Sequence, residues 1–129
     1  MAVTHSTAAR NAATDAVTAL IGASGKLVFR LAGTVSAPGT AVATLSLSAT
    51  AFAAAVTGTA TANAITSDTN ATGNASAVAT ATLQTSGGTV VIHCAVAASA
   101  SDINMTNGLT VAAGDTVSCS SLTYTALSA

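Results

Sequence analysis

Large apolar residues recur at period two in short runs broken by Gly, Asn and Asp, a pattern that predicts strands joined by tight turns. The densest run is Thr89 to Ala97, where Val90, Ile92, Cys94 and Val96 share one face and Val91, His93 and Ala95 the other. It reads as the central strand, buried on one side and partly covered on the second. Burying each of its branched side chains contributes about 1.5 to 3 kcal/mol.

Before it, Lys26 to Leu31 alternates Leu27, Phe29 and Leu31 against Val28 and Arg30, and Val42 to Ser48 alternates through Ala43, Leu45 and Leu47. Pro38-Gly39 between them fits the centre of a type II turn. Phe52 stands as an anchor in a run of Ala, and Val56 to Thr66 is a weaker Thr/Ala strand. Ser67 to Asn74 is a loop, Ser76 to Thr85 a further strand, and Gly87-Gly88 a tight hairpin into the central strand. Asn107-Gly108 predicts a hairpin between Ile103 to Thr106 and Leu109 to Val111. Gly114-Asp115 turns the chain into Thr116 to Thr125, where the phase of Val117 and Cys119 is broken by Leu122 and Tyr124, implying a bulge near Ser120-Ser121.

One segment has helical spacing. Ser6 to Ile21 places Ala9, Ala13, Ala16, Val17 and Leu20 on a small-residue stripe, with Asn11, Asp15 and Thr18 elsewhere on the wheel. Ser6 or Thr7 can cap its start and Gly22 its end. Such a stripe can lie against a sheet or a neighbouring subunit. The expected architecture is therefore mainly β, an antiparallel β-sandwich or jelly roll with one N-terminal α-helix. It forms a single domain over 1–129, with a helical arm at 1–22 and the sandwich at 26–129. No fixed repeat indicates a solenoid.

Composition changes the picture in one respect. Half the residues count as hydrophobic but most are Ala, and only Phe29, Phe52 and Tyr124 are aromatic, so the core must be thin. Three Lys and Arg stand against four Asp and no Glu, far below the roughly one-quarter charged residues of an ordinary domain. A near-neutral surface offers no attraction to nucleic acid or anionic membrane and suits a chain packed permanently against other protein. In that case both ends, Met1 and Ala129, are expected to be held by neighbouring subunits. The longest apolar run, Ala51 to Val56, falls short of the roughly 18 residues a spanning helix needs. Arg10, Asn11 and Asp15 interrupt the place of a signal-peptide core, so synthesis in the cytoplasm is expected.

Candidate chemistry is sparse. Cys94 and Cys119 lack metal-type spacing and read as two free buried thiols or as a disulfide between neighbouring strands. His5 and His93 have no acidic residue or second His beside them, so no metal and no cofactor is expected. Gly25-Lys26 is not a phosphate loop, because no Ser or Thr follows the Lys and the helix precedes the turn. No nucleophile elbow accompanies the many serines, and the four Asp read as turn or helix-surface positions, so enzymatic activity is not expected. The Asn70, Asn74 and Asn104 glycosylation triplets lack a secretory context. An ice-binding array would need regular Thr spacing and a sugar platform would need aromatics; neither is present.

Several stretches in order carry a resemblance. They are Ser-Thr-Ala-Ala-Arg-Asn-Ala at 6–12, Ala-Thr-Leu-Ser-Leu-Ser at 43–48 with Ala51-Phe52, Ala-Thr-Ala-Asn-Ala-Ile at 60–65, and Ala-Thr-Gly at 71–73. Asp102-Ile103, Val-Ala-Ala-Gly-Asp-Thr-Val-Ser at 111–118 and Ser-Leu-Thr-Tyr-Thr at 121–125 complete the set. In this layout the chain resembles small tailed-bacteriophage virion structural proteins. It departs from them at 53–55, where Ala stands in place of Gly. The resemblance implies a jelly-roll-like capsid cement or decoration protein, a minor capsid protein bound to the capsid exterior. Its expected partners are the major capsid protein and itself, as a homodimer or homotrimer, with Ala9, Ala13, Ala16, Val17 and Leu20 as contacts. A tail or fibre module binding a host-surface ligand is the alternative.

Overall fold

The computed structural model describes residues 3–129; Met1 and Ala2, the first two positions of the expected arm, lie outside the described residues, and with them the expectation for the first chain end. The chain is mainly β with one helix. Helix α1 spans Thr7–Ala19, and the strands are β1 (Lys26–Arg30), β2 (Ala41–Ser46), β3 (Thr59–Thr61), β4 (Thr80–Gln84), β5 (Val90–Ala97), β6 (Ile103–Asn104) and β7 (Thr123–Thr125). Ser6 caps α1 by accepting from the Ala9 N–H at 3.2 Å, and Gly22, at φ +70°, turns the chain away after it.

A five-stranded sheet runs in the order β2-β1-β4-β5-β6, and β3 pairs with β7 in a separate two-stranded ribbon. All pairings are antiparallel except β5 with β6, which is parallel, so the expected antiparallel sandwich is corrected to a mixed sheet. The correction traces to Asn107-Gly108. Gly108 has φ +107° and the chain does turn there, but Leu109 to Val111 forms no strand. Ile103 and Asn104 instead pair with Val96 and Ala97 of the longest strand. The edge of β6 turned away from β5 takes up no partner strand from Leu109 to Val111.

The centre of the sheet also differs from expectation. Strand β4 is the middle strand, with β1 beside it, whereas five consecutive residues of β5, Val90 to Cys94, are only half-buried. Register brings Leu45, Leu27, Leu83 and Ile92 into one row across β2, β1, β4 and β5, and Ala43, Phe29, Ala81 and Cys94 into the next. Leu27, Leu45, Phe29, Ala81 and Leu83 from these rows pack with Ile21, Phe52, Ala60, Val78, Val111 and Val117 to form the core. On the other face the row is Thr44, Val28, Thr82 and His93. Arg30 covers this face by donating to Thr82 Oγ1 (3.1 Å), Gln84 Oε1 (2.9 Å) and the Gly39 carbonyl (2.7 Å). β1 and β4 are therefore buried on both faces, which a single period-two stripe does not announce.

Turn chemistry is partly as expected. The β4–β5 hairpin forms with Gly88, not Gly87, at positive φ, and the Gly88 N–H donating to the Thr85 carbonyl makes a type I turn with a following bulge rather than a primed turn. Gly39 has no positive φ, so the type II turn at Pro38-Gly39 is not formed; Gly33 and Pro38 bridge instead across a short loop. The last stretch divides where its phase breaks, into a bridge of Val117 with Asp68 and β7. Of the expected strand Val56 to Thr66 only β3 is regular, entered through a two-residue turn with Thr57 at φ 51° and Gly58 at φ 82°, both N–H···O bonds linking Val56 and Thr59.

Candidate functional site

The helix lies with its polar side inward. Thr14 and Thr18 are buried, and Arg10, Asn11 and Asp15 are half-buried beside them, a stripe at helical spacing as regular as the apolar one. Its inward groups grip the turn before β3 and the C-terminal segment. The Asn11 side-chain oxygen accepts from the Gly58 N–H at 2.7 Å, and the Thr14 hydroxyl donates to the Gly58 carbonyl at 2.6 Å while accepting from the Ala126 N–H at 3.1 Å. Asp15 Oδ1 accepts from the Ala55 N–H at 2.8 Å. The Arg10 guanidinium donates to the carbonyls of Thr57 (3.0 Å) and Leu127 (3.1 Å). Farther along, the Ala129 carbonyl lies 2.6 Å from His5 Nδ1, so this chain end is tied down within its own subunit.

The consequence concerns the other side of the helix. Ala9 and Ala16 are exposed, Leu20 is 65% exposed, and Ala13 and Val17 are half-buried. Of the two places open to this stripe, a sheet of its own chain or another subunit, the first is not where Ala9, Ala16 and Leu20 lie. Asn11, Asp15 and Thr18, expected away from the packed side, form it. The polar residues that fix α1 were missed because hydrophobic periodicity ignores hydrogen-bonding stripes. The spacing 10/11, 14/15, 18 was the signal that would have found them. A shallow groove of about 300 Å³ flanks the helix between Thr18, Ala19 and Gly22 on one side and Ala49 to Ala54 on the other.

A second concavity, of about 500 Å³, opens between Asp102 to Val111 and Asp115 to Thr123, on elements other than α1. Apolar groups from Phe29, Ile103, Met105, Val111, Val117 and Leu122 line it together with hydroxyls and the two carboxylates. Asp102 Oδ2 accepts from the Ala95 N–H at 2.9 Å and Asp115 Oδ2 from the Ala112 N–H at 3.0 Å, which orients both side chains through one oxygen each.

Cys94 and Cys119 are free and half-buried. Burial, with a smaller contribution from the Asp102 charge, pushes the Cys94 thiol up to about 11, and burial also raises that of Cys119, whose Sγ–H donates to the Ser121 carbonyl at 3.3 Å. Both are thus poor nucleophiles near neutrality. His93 packs opposite Thr82 on the second face of its strand, with Nε2 buried and unpartnered among the described residues. Among the described residues no group of three or more His, Cys, Asp or Glu could hold a metal ion, and no helix is long and apolar enough to cross a membrane. No protein-family model, no curated protein and no solved structure matches the chain.

Proposed function

We propose that this chain is a structural virion protein of a tailed phage, a capsid cement or decoration protein with a jelly-roll-like body, made in the bacterial host cytoplasm. It bridges major capsid subunits on the outside of the head as a homodimer or homotrimer, and it is not an enzyme. The observation that carries this reading is the inverted helix. The hydrogen bonds of Arg10, Asn11, Thr14 and Asp15 hold α1 rigidly to the body and turn Ala9, Ala16 and Leu20 outward. A fixed ridge of small apolar side chains on a nearly uncharged surface lets another protein approach closely at little desolvation cost. Repeated over a shell, many such modest contacts act together.

Ala16→Glu with Leu20→Glu tests the reading directly. The double variant keeps its fold and no longer co-sediments with shells of the major capsid protein; undiminished decoration of those shells would overturn the helix assignment. The polar cleft between Asp102 and Thr123 favours a second reading, a tail or fibre module that binds a host-surface ligand. Particles lacking the protein separate the two. A cement protein's loss leaves heads that burst at lower temperature, whereas a fibre module's loss leaves heads intact and adsorption impaired.

A further inference from the structure

We propose that the cleft between residues 102–111 and 115–123 receives an extended, lysine- or arginine-bearing segment of a different protein, added as a strand beside β6. The sheet is left open at this side. Strand β6 is its last strand, and because the Met105 N–H donates inward to Ala97, alternation aims the amide of Asn104 at the open side. The facing wall is similarly unoccupied. Among the described residues the N–H groups of Ser118, Cys119, Ser120 and Ser121 make no hydrogen bond, although Val117 before them and Leu122 after them are tied to Asp68 and Ala62. Thr116 to Ser121, ahead of β7, and Leu109 to Val111 read as strand in the sequence but form none in the fold. An exposed edge with unpaired backbone groups beside an apolar floor is the arrangement that accepts a strand from outside. Its volume, about 500 Å³, suits a short peptide segment.

Charge specifies the occupant. Asp102 and Asp115 both line the cleft, each with its Oδ1 free of partners among the described residues, and no Lys or Arg lines it. A cationic side chain on the incoming strand would complete them. A second copy of this chain has no cation to present on an added strand, because Lys26 and Arg30 lie in β1, which β2 and β4 pair on both sides, and Arg10 lies on α1. The partner is therefore a foreign protein, and the site stands or falls independently of the helix face.

The test is amide-shift mapping on the isotopically labelled full chain with three probes: acetyl-Thr-Val-Lys-Val-Thr-Val-amide, the same peptide with Glu for Lys, and maltohexaose. The lysine peptide is expected to shift the amides of 104, 106–111 and 118–121 and to bind at least about tenfold more tightly than the glutamate peptide. Asp102→Asn with Asp115→Asn, which keeps an oxygen for each backbone donor, is expected to abolish that difference. No shifts, equal binding of the two peptides, or shifts with maltohexaose alone would overturn the proposal, and the peptide comparison decides it whether or not the double variant folds.

Discussion

The middle of the sheet and the helix are attached to the same small body by opposite means. In β1 and β4 the attachment is apolar: Leu27, Ala81 and Leu83 are removed from water, and even Thr82 on the far face is covered. In α1 nearly every inward group is polar: Arg10, Asn11, Thr14 and Asp15 are answered by backbone groups of the 54–58 loop or the C-terminal segment, and Thr18 by the Asp15 carbonyl of the helix itself. The difference teaches that an apolar stripe on a helix need not be the side on which its own fold depends. Where side chains are as small as Ala and Thr, area burial on either face is modest, and a set of paired hydrogen bonds decides which side turns inward.

The contrast is broken most severely at the sheet. Leu83→Ala removes a side chain at the crossing of the buried rows and is expected to cost about 2 to 5 kcal/mol, read as a lower urea midpoint with unchanged slope. Thr14→Val keeps the shape of the helix contact but leaves the Gly58 carbonyl and the Ala126 N–H without partners. It is expected to cost about 1 to 3 kcal/mol by the same measurement. If Thr14→Val were neutral, the helix would not be held by its polar side.

How much of this was legible follows the size of the side chains. β1, β2, β4 and β5 were readable because Leu, Val, Ile and Phe mark them, and α1 because Ser6 and Gly22 bound it. The middle position of β4 was not, since Thr82 and Gln84 look solvent-facing until Arg30 folds over them. The parallel β5–β6 pair was hidden because Asn107-Gly108 signals a turn but not which strand its arms will join. Of the candidate site, the small residues of α1 were identifiable, but not that polar bonds would turn Ala9, Ala16 and Leu20 outward. The cleft had no sequence signature, because Asn107-Gly108 pointed to a hairpin between 103–106 and 109–111 that does not form.

A smaller effect sharpens the description of the sheet's flank. The folded Cys94 thiol, at about 11, lies above its ordinary value of 9.0, so the folded state holds the proton more tightly. Its contribution to stability is complete below the unfolded value and is lost as pH rises from there through the folded one. Denaturation midpoints are expected to fall over that window, and Cys94→Ala is expected to flatten the fall. Least of all should stability respond to Leu20→Ser, which is expected to stay within about 0.5 kcal/mol of the parent because the side chain is exposed. A loss as large as that of Thr14→Val would mean that Leu20 serves the fold.

The outward helix face is tested most directly by placing a thiol on it, Leu20→Cys in a Cys94→Ala, Cys119→Ala background, and comparing maleimide labelling of the free protein with that of the protein bound to capsid shells. Rapid labelling when free and strong protection on the shell is the result this account predicts. Slow labelling of the free protein, or equal labelling in both states, would contradict it.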